Sequence, residues 1–152
     1  MPYTTADARK QLLDTVAEAA DALGAALASL SEAYEQLDER SGDAVEEQLF
    51  RPVQMAYGRA RRAHASFAER HGLPGRTFEP AVAGAPSKGV KGFLDSASAS
   101  VADADRTLAT LQDSMLPVEV GDMQLRGDLE EVRSLLQGLG ARAHEIVRTF
   151  GR

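Results

Sequence analysis

The sequence predicts an all-α protein: a four-helix bundle built from two helical hairpins joined by a long Pro/Gly-rich linker. Three observations lead there. Apolar residues recur at spacings of three and four in four separate stretches, no stretch alternates with the two-residue period of a strand, and the first stretch is echoed by the third. Leu12 to Tyr34 (LLDTVAEAADALGAALASLSEAY) overlies Phe93 to Met115 (FLDSASASVADADRTLATLQDSM) at a constant offset of 81, with five identities in 23 positions. Each copy is followed by a Gly-Asp pair, Gly42-Asp43 and Gly121-Asp122, and then by a second helical pattern. Internal duplication accounts for this, and so do two Ala/Leu-rich helices sharing a heptad phase. The architecture is the same under either reading.

The first helix is read from Thr5 to Arg40. Leu13, Val16, Ala20, Leu23, Leu27, Leu30, Tyr34 and Leu37 form its seam, flanked by Ala19, Ala26 and Ala33, with Asp14, Glu18, Asp21 and Glu32 on the other side. Ser41-Gly42-Asp43 reads as a stop and a start. Gly42 suits the left-handed end of a helix, and Asp43 with Glu46 makes a capping box for the next.

The second helix carries Pro52 near its start, where a missing donor and a steric clash imply either a kink or a fresh start. Beyond Pro52 two seam phases are open. Composition selects Leu49, Val53, Ala56, Ala60, Ala63 and Phe67; the register set by the Gly-Asp pairs selects Phe50, Val53, Tyr57, Ala60, His64 and Phe67. The first hairpin thus covers about residues 5–71.

Residues 72–87, GLPGRTFEPAVAGAPS, read as a linker with three prolines and three glycines. Extended, it would reach roughly 50 Å, longer than a 28-residue helix at about 42 Å, so reach alone leaves the topology open. Phe78 and Val82 are apolar enough to pin it to the bundle. The second hairpin covers residues 88–152. Its first helix is read from Lys88, with Ser87 as cap, to Leu116 before Pro117, along Leu94, Ala97, Val101, Ala104, Leu108, Leu111 and Met115. Its second helix starts at Asp122 and follows Leu125, Leu129, Val132, Leu136, Leu139, Ala143, Ile146 and Phe150; Gly138 and Gly140 read as points of close helix contact.

Composition narrows the function classes. The chain of 152 residues suits one domain, residues 1–152, and has no cysteine, which rules out disulfides, thiolate metal sites and cysteine catalysis. The polar start MPYTTADARK and the lack of a long apolar run predict a cytoplasmic protein without a membrane span. No Glu stands three residues before His64, His71 or His144, so the di-iron pattern is missing, and no phosphate-binding glycine motif occurs. No metal, cofactor or catalytic residue is assigned.

Two candidate sites emerge. Residues 51–76 hold six arginines and one acid, against a net charge of −6 for the whole chain. Arg51, Arg59, Arg62 and Arg70 fall within roughly 100° of one helix face, a candidate docking stripe for an acidic protein partner or for self-association. Nucleic acid is disfavoured by the acidic total and by the lack of aromatics between the arginines. The second candidate is a small-molecule pocket at Tyr57, His64 and His71, spaced by seven on one stripe of the second helix. The leading expectation is a non-enzymatic interaction or scaffold module; a ligand-binding bundle is the alternative.

Overall fold

The computed structural model describes residues 5–79, 81 and 89–150, without the side chains of Val118 and Phe150. The protein is an all-α four-helix bundle. Helix α1 (Thr5–Glu35) is followed by α2 (Glu39–Val45), a π turn (Glu46–Phe50) and α3 (Arg51–Arg70) in one run. After the linker come α4 (Gly89–Asp113), the short α5 (Leu116–Val120), α6 (Met123–Leu136) and α7 (Leu139–Phe150).

The bundle is a ring in which α1 touches α3 and α4, and α6 with α7 closes between them. Every neighbouring pair is antiparallel. Gly24 meets Tyr57 while Leu30 lies by Val53. Thr15 lies by Thr107 while Leu30 lies by Ala97. Arg59 reaches Glu131 while Arg70 reaches Asp122. Helices α3 and α4 therefore run the same way on opposite sides of the ring. The end of α3 and the start of α4 thus lie at opposite ends of the bundle, which settles the topology that the linker's length had left open.

The two repeated stretches are α1 and α4, and each is the other's most extensive neighbour. On α1 the most deeply buried row is Leu12, Val16, Ala19, Leu23, Ala26, Leu30 and Ala33, each at most 1% exposed. Leu27 is only partly buried, and Tyr34 is 45% exposed. The alanines read as flanks are thus the centre of the stripe, because a side chain this short lets a neighbouring helix come close. Met115 likewise leaves the α4 seam and stands 62% exposed, since α4 ends at Asp113.

Two boundaries here differ from the sequence reading, and a third, at Pro52, follows one of its alternatives. The first turn falls at residues 36–38, not at Ser41-Gly42-Asp43. Leu37 packs against the core, and Asp38 caps α2 by accepting the Ser41 amide at 2.8 Å. Gly42 sits inside α2, where a Cβ would lie 3.2 Å from the Tyr34 ring, so its role is contact rather than termination. At Pro52 the helix starts afresh: the π turn ends at Phe50 and α3 begins at Arg51 with Pro52 in its first turn, although the helical run is unbroken. The Arg51 amide reaches back five residues to the Glu46 carbonyl, and this wide turn accommodates the proline that follows. Pro117 similarly opens α5 rather than only closing α4.

The last helix is broken. Gly138 takes φ +76° between α6 and α7, and no atom lies within 4 Å of a Cβ built there or at Gly140. Gly138 is therefore a backbone device, and Gly140 has open space where close contact was expected. The Arg142 side chain donates to the carbonyls of Gln137 and Gly138, the second of which also accepts the Arg142 amide at 3.0 Å. The seam survives: Leu125, Leu129, Val132, Leu136, Leu139, Ala143 and Ile146 are all buried. The contacts expected of Val82, the Ser87 cap and the Phe150 side chain lie outside the described residues.

Candidate functional site

Helix α3 buries Val53, Ala56, Ala60, Ala63, His64, Phe67 and Ala68, with Leu49 buried in the π turn. This is the phase that composition selects, with His64 added from the other. Phe50 and Tyr57 lie at its margin, half-buried.

The four arginines of the stripe divide into two kinds. Arg70 donates to both carboxylate oxygens of Asp122 at 2.8–3.0 Å, and Arg59 pairs with Glu131. Glu131 lies on α6 and Asp122 caps it, so these two side chains hold α3 to its neighbour. Arg51 and Arg62 are exposed and make no ion pair among the described residues. Arg62 lies over Gly58 on its own helix. Between them Met55 is 54% exposed. Arg61, on another side of α3, stacks its guanidinium 4.6 Å from the Tyr57 ring centre.

Tyr57, His64 and His71 share a stripe but turn to three different neighbours. The Tyr57 ring rests on α1 at Gly24, where a Cβ would be 3.4 Å away. His64 is 3% exposed, and its Nδ1 is buried without a hydrogen-bond partner. The linker covers it. Phe78 meets the imidazole edge-on at 5.2 Å, and Arg76 stacks over Phe78 and pairs with Asp21 of α1 at 2.8 Å. Burial pushes His64 below the usual imidazole value, and the Arg76 cation adds to this, while Asp14 and Asp21 oppose it. The strap begins in a paired helix ending. Gly72 takes φ +64°, Gly72 N–H donates to Glu69, and Leu73 N–H donates to Ala68.

His71 belongs to a node that sequence reasoning found only in part. Asp122 was visible as a helix start, but its side chain, 6% exposed, does more. It accepts the Leu125 amide at 2.8 Å, the Arg70 guanidinium and His71 Nε2 at 2.7 Å. Burial raises this carboxyl, but the Leu125 amide, His71 and Arg70 outweigh it and hold it below the ordinary value. The signal was present in Gly-Asp followed by a heptad, yet Arg70 and His71 lie about fifty residues away in the chain.

Comparison with protein-family models, curated proteins and solved structures finds no match.

The surface supplies the other relevant geometry. Residues 32–47 contain seven acids and one arginine, a net charge equal to the −6 of the whole chain, so the remaining 16 acids and 16 bases cancel. None of those seven carboxylates forms an ion pair among the described residues. At the same end Tyr34, Glu35, Glu46 and Phe50 line a groove of about 250 Å³. Among the described residues, no group of three or more His, Asp or Glu is placed to hold a metal ion, and no helix is long and apolar enough to cross a membrane.

Proposed function

We propose that this chain is a non-enzymatic interaction module that binds a protein partner, or another copy of itself, through the outward faces of its helices. The observation that carries this reading is the separation of charge. All of the net charge sits between residues 32 and 47, and it is followed on the same helical run by Arg51 and Arg62, which the fold does not use. Uncompensated stripes of opposite sign steer encounter and weaken with salt. Exposed Tyr34 and Met55 add apolar anchors of the kind that interfaces bury.

The test is sedimentation of the protein, alone and with any candidate partner, at about 0.05 and 0.5 M salt, either side of the ionic strength at which screening takes hold. Complex mass is expected to fall as salt rises, and in the Arg51→Glu/Arg62→Glu variant to be lower already at the low salt and to depend on salt less. Identical masses in every condition would overturn the reading.

One observation favours a second reading, a small-molecule site near Tyr57 and His64. A buried, unpartnered Nδ1 beneath a strap is a polar group without an assigned use. A thermal-shift panel of metabolites discriminates. A saturable shift that vanishes in His64→Phe would favour the ligand site; no shift is expected if the surface carries the function.

A further inference from the structure

The outer stripe of the α2–α3 run has a charge order that fits itself. From N- to C-terminus it reads Glu47, Arg51, Met55, Gly58, Arg62, all exposed except the half-exposed Gly58. On a wheel of 100° per residue the last four fall within about 60°. Glu47 lies one wide turn before Arg51, close to the same line. An acid thus stands at one end, a cation at the other, and a 54% exposed methionine at the centre.

We infer that a second copy of this chain docks on this stripe, antiparallel, with a twofold axis beside Met55. This rests on the interaction-module reading and names its occupant. In an antiparallel pair of helices centred at residue 55, positions on the two copies face each other when their numbers add to about 110. Glu47 of each copy then faces Arg62 of the other, Arg51 faces Gly58, and Met55 faces Met55. The contact is self-complementary, as a twofold interface requires. A parallel pairing would instead set acid against acid and cation against cation.

Each feature of the stripe has a use in this arrangement. Met55 supplies a flexible, polarizable side chain that packs well against its own copy. Gly58 adds no side chain of its own where Arg51 of the other copy must lie; the Arg62 guanidinium lies over it and would turn away toward Glu47 of that copy. Arg59 and Arg70 are already bound to Glu131 and Asp122, which is why the free cations lie on this line and not across the whole face. The stripe from 47 to 62 is about 22 Å long. A single helix crossing of that length falls in the small, transient class of interfaces. The association is therefore expected to be weak, salt-sensitive and concentration-dependent.

The chain lacks cysteine, so one introduced thiol reports the geometry. Met55→Cys places two thiols at the axis. Met123→Cys, at a 79% exposed position on α6, is the control. Under mild oxidation the Met55→Cys protein is expected to form a disulfide-linked dimer at least ~10-fold faster than the control, and more slowly at high salt. Added to the Met55→Cys protein, Glu47→Arg alone and Arg62→Glu alone are each expected to slow the reaction, and the two together to restore it. Circular dichroism confirms that each variant is folded. Equal rates for the two thiols, or no restoration in the double reversal, would overturn the inference. Salt-dependent assembly by sedimentation without faster cross-linking at Met55 would discard this dimer while leaving the interaction module standing.

Discussion

Replacing Asp122 tests how the ends of α3 and α6 are joined. In Asp122→Ala the Leu125 amide loses its cap, a loss of about 1 kcal/mol. Arg70 and His71 lose a charged acceptor, and hydrogen bonds to charged groups are worth about 1.5–3 kcal/mol. Arg70 is 28% exposed and His71 15%, so water recovers part of that loss. The combined effect is about 2–3 kcal/mol, a Tm fall of roughly 4–12 °C for a chain of this size. Asp122→Asn keeps a capping oxygen but removes the charge, and is expected to cost about 1–2 kcal/mol. Acid unfolding separates the contributions further. The Asp122 carboxyl titrates lower in the folded state than in the unfolded chain. Its stabilisation is therefore complete above the unfolded value near 4 and is lost as pH falls through the lower folded value. The asparagine variant lacks that part of the acid dependence. Urea denaturation of the three proteins at pH 7 and pH 3.5 gives the numbers. If Ala and Asn both change stability by less than about half a kcal/mol, the carboxylate does not join the helices as described.

Three further outcomes follow from the same geometry. His64 titrates lower when folded than when unfolded, so its stabilisation is present above the unfolded value of 6.5 and is lost as pH falls below it; His64→Phe should be flatter between pH 7.5 and 5.5 in thermal melts, and an identical slope would remove His64 as the cause. Gly138→Ala is expected to destabilise by about 1 kcal/mol because of its φ of +76°, whereas Gly127→Ala, inside α6 with open space at its Cβ, should stabilise by about 0.5–1 kcal/mol; matching signs in denaturant titrations would refute the break at 138. Leu129→Ala, at a fully buried position, should cost about 2–5 kcal/mol, and a loss under about half a kcal/mol would mean that α6 is not packed on the core.

The helices were legible in the sequence because their heptads repeat far enough for periodicity to outweigh local noise. The α6–α7 seam from Leu125 to Ile146 shows this, since every position is buried even though a break interrupts the helix. The breaks themselves were not legible. Gly42 and Gly138 are the same residue type in similar settings, yet one packs helically on Tyr34 and the other turns through positive φ. Tertiary contact decides between those uses, and a local reading does not contain it. The centre of α1 was displaced for a related reason. Scoring by hydrophobicity favours Leu27 and Tyr34, while close packing favours Ala26 and Ala33. For the candidate site, the cluster of arginines was visible but its division was not. Arg59 and Arg70 find carboxylates 72 and 52 residues away, and only the adjacency of α3 and α6 brings them together.

That division bears on where function can lie. The long-range ion pairs Arg59–Glu131, Arg70–Asp122, Arg76–Asp21 and Arg133–Asp105 each join two elements of the bundle or tie the linker to it. Three of the four draw on the basic block of residues 51–76 and the fourth on Arg133 of α6; their acids lie on α1, α4 and α6 or at the cap of α6, and none of the seven acids at residues 32–47 takes part. A fold that needed those acids for its own stability would place cations beside them. Instead, like charges crowd around residues 32–47, and crowding of one sign opposes the compact state. In an interaction module that cost has a use, because a cationic partner surface would offset it. Arg40 lies within the segment itself; beyond it Arg51 and Arg62, on the same helical run, have no ion pair among the described residues, and the antiparallel pairing of two copies would bring one of the seven acids, Glu47, to Arg62 of the other copy.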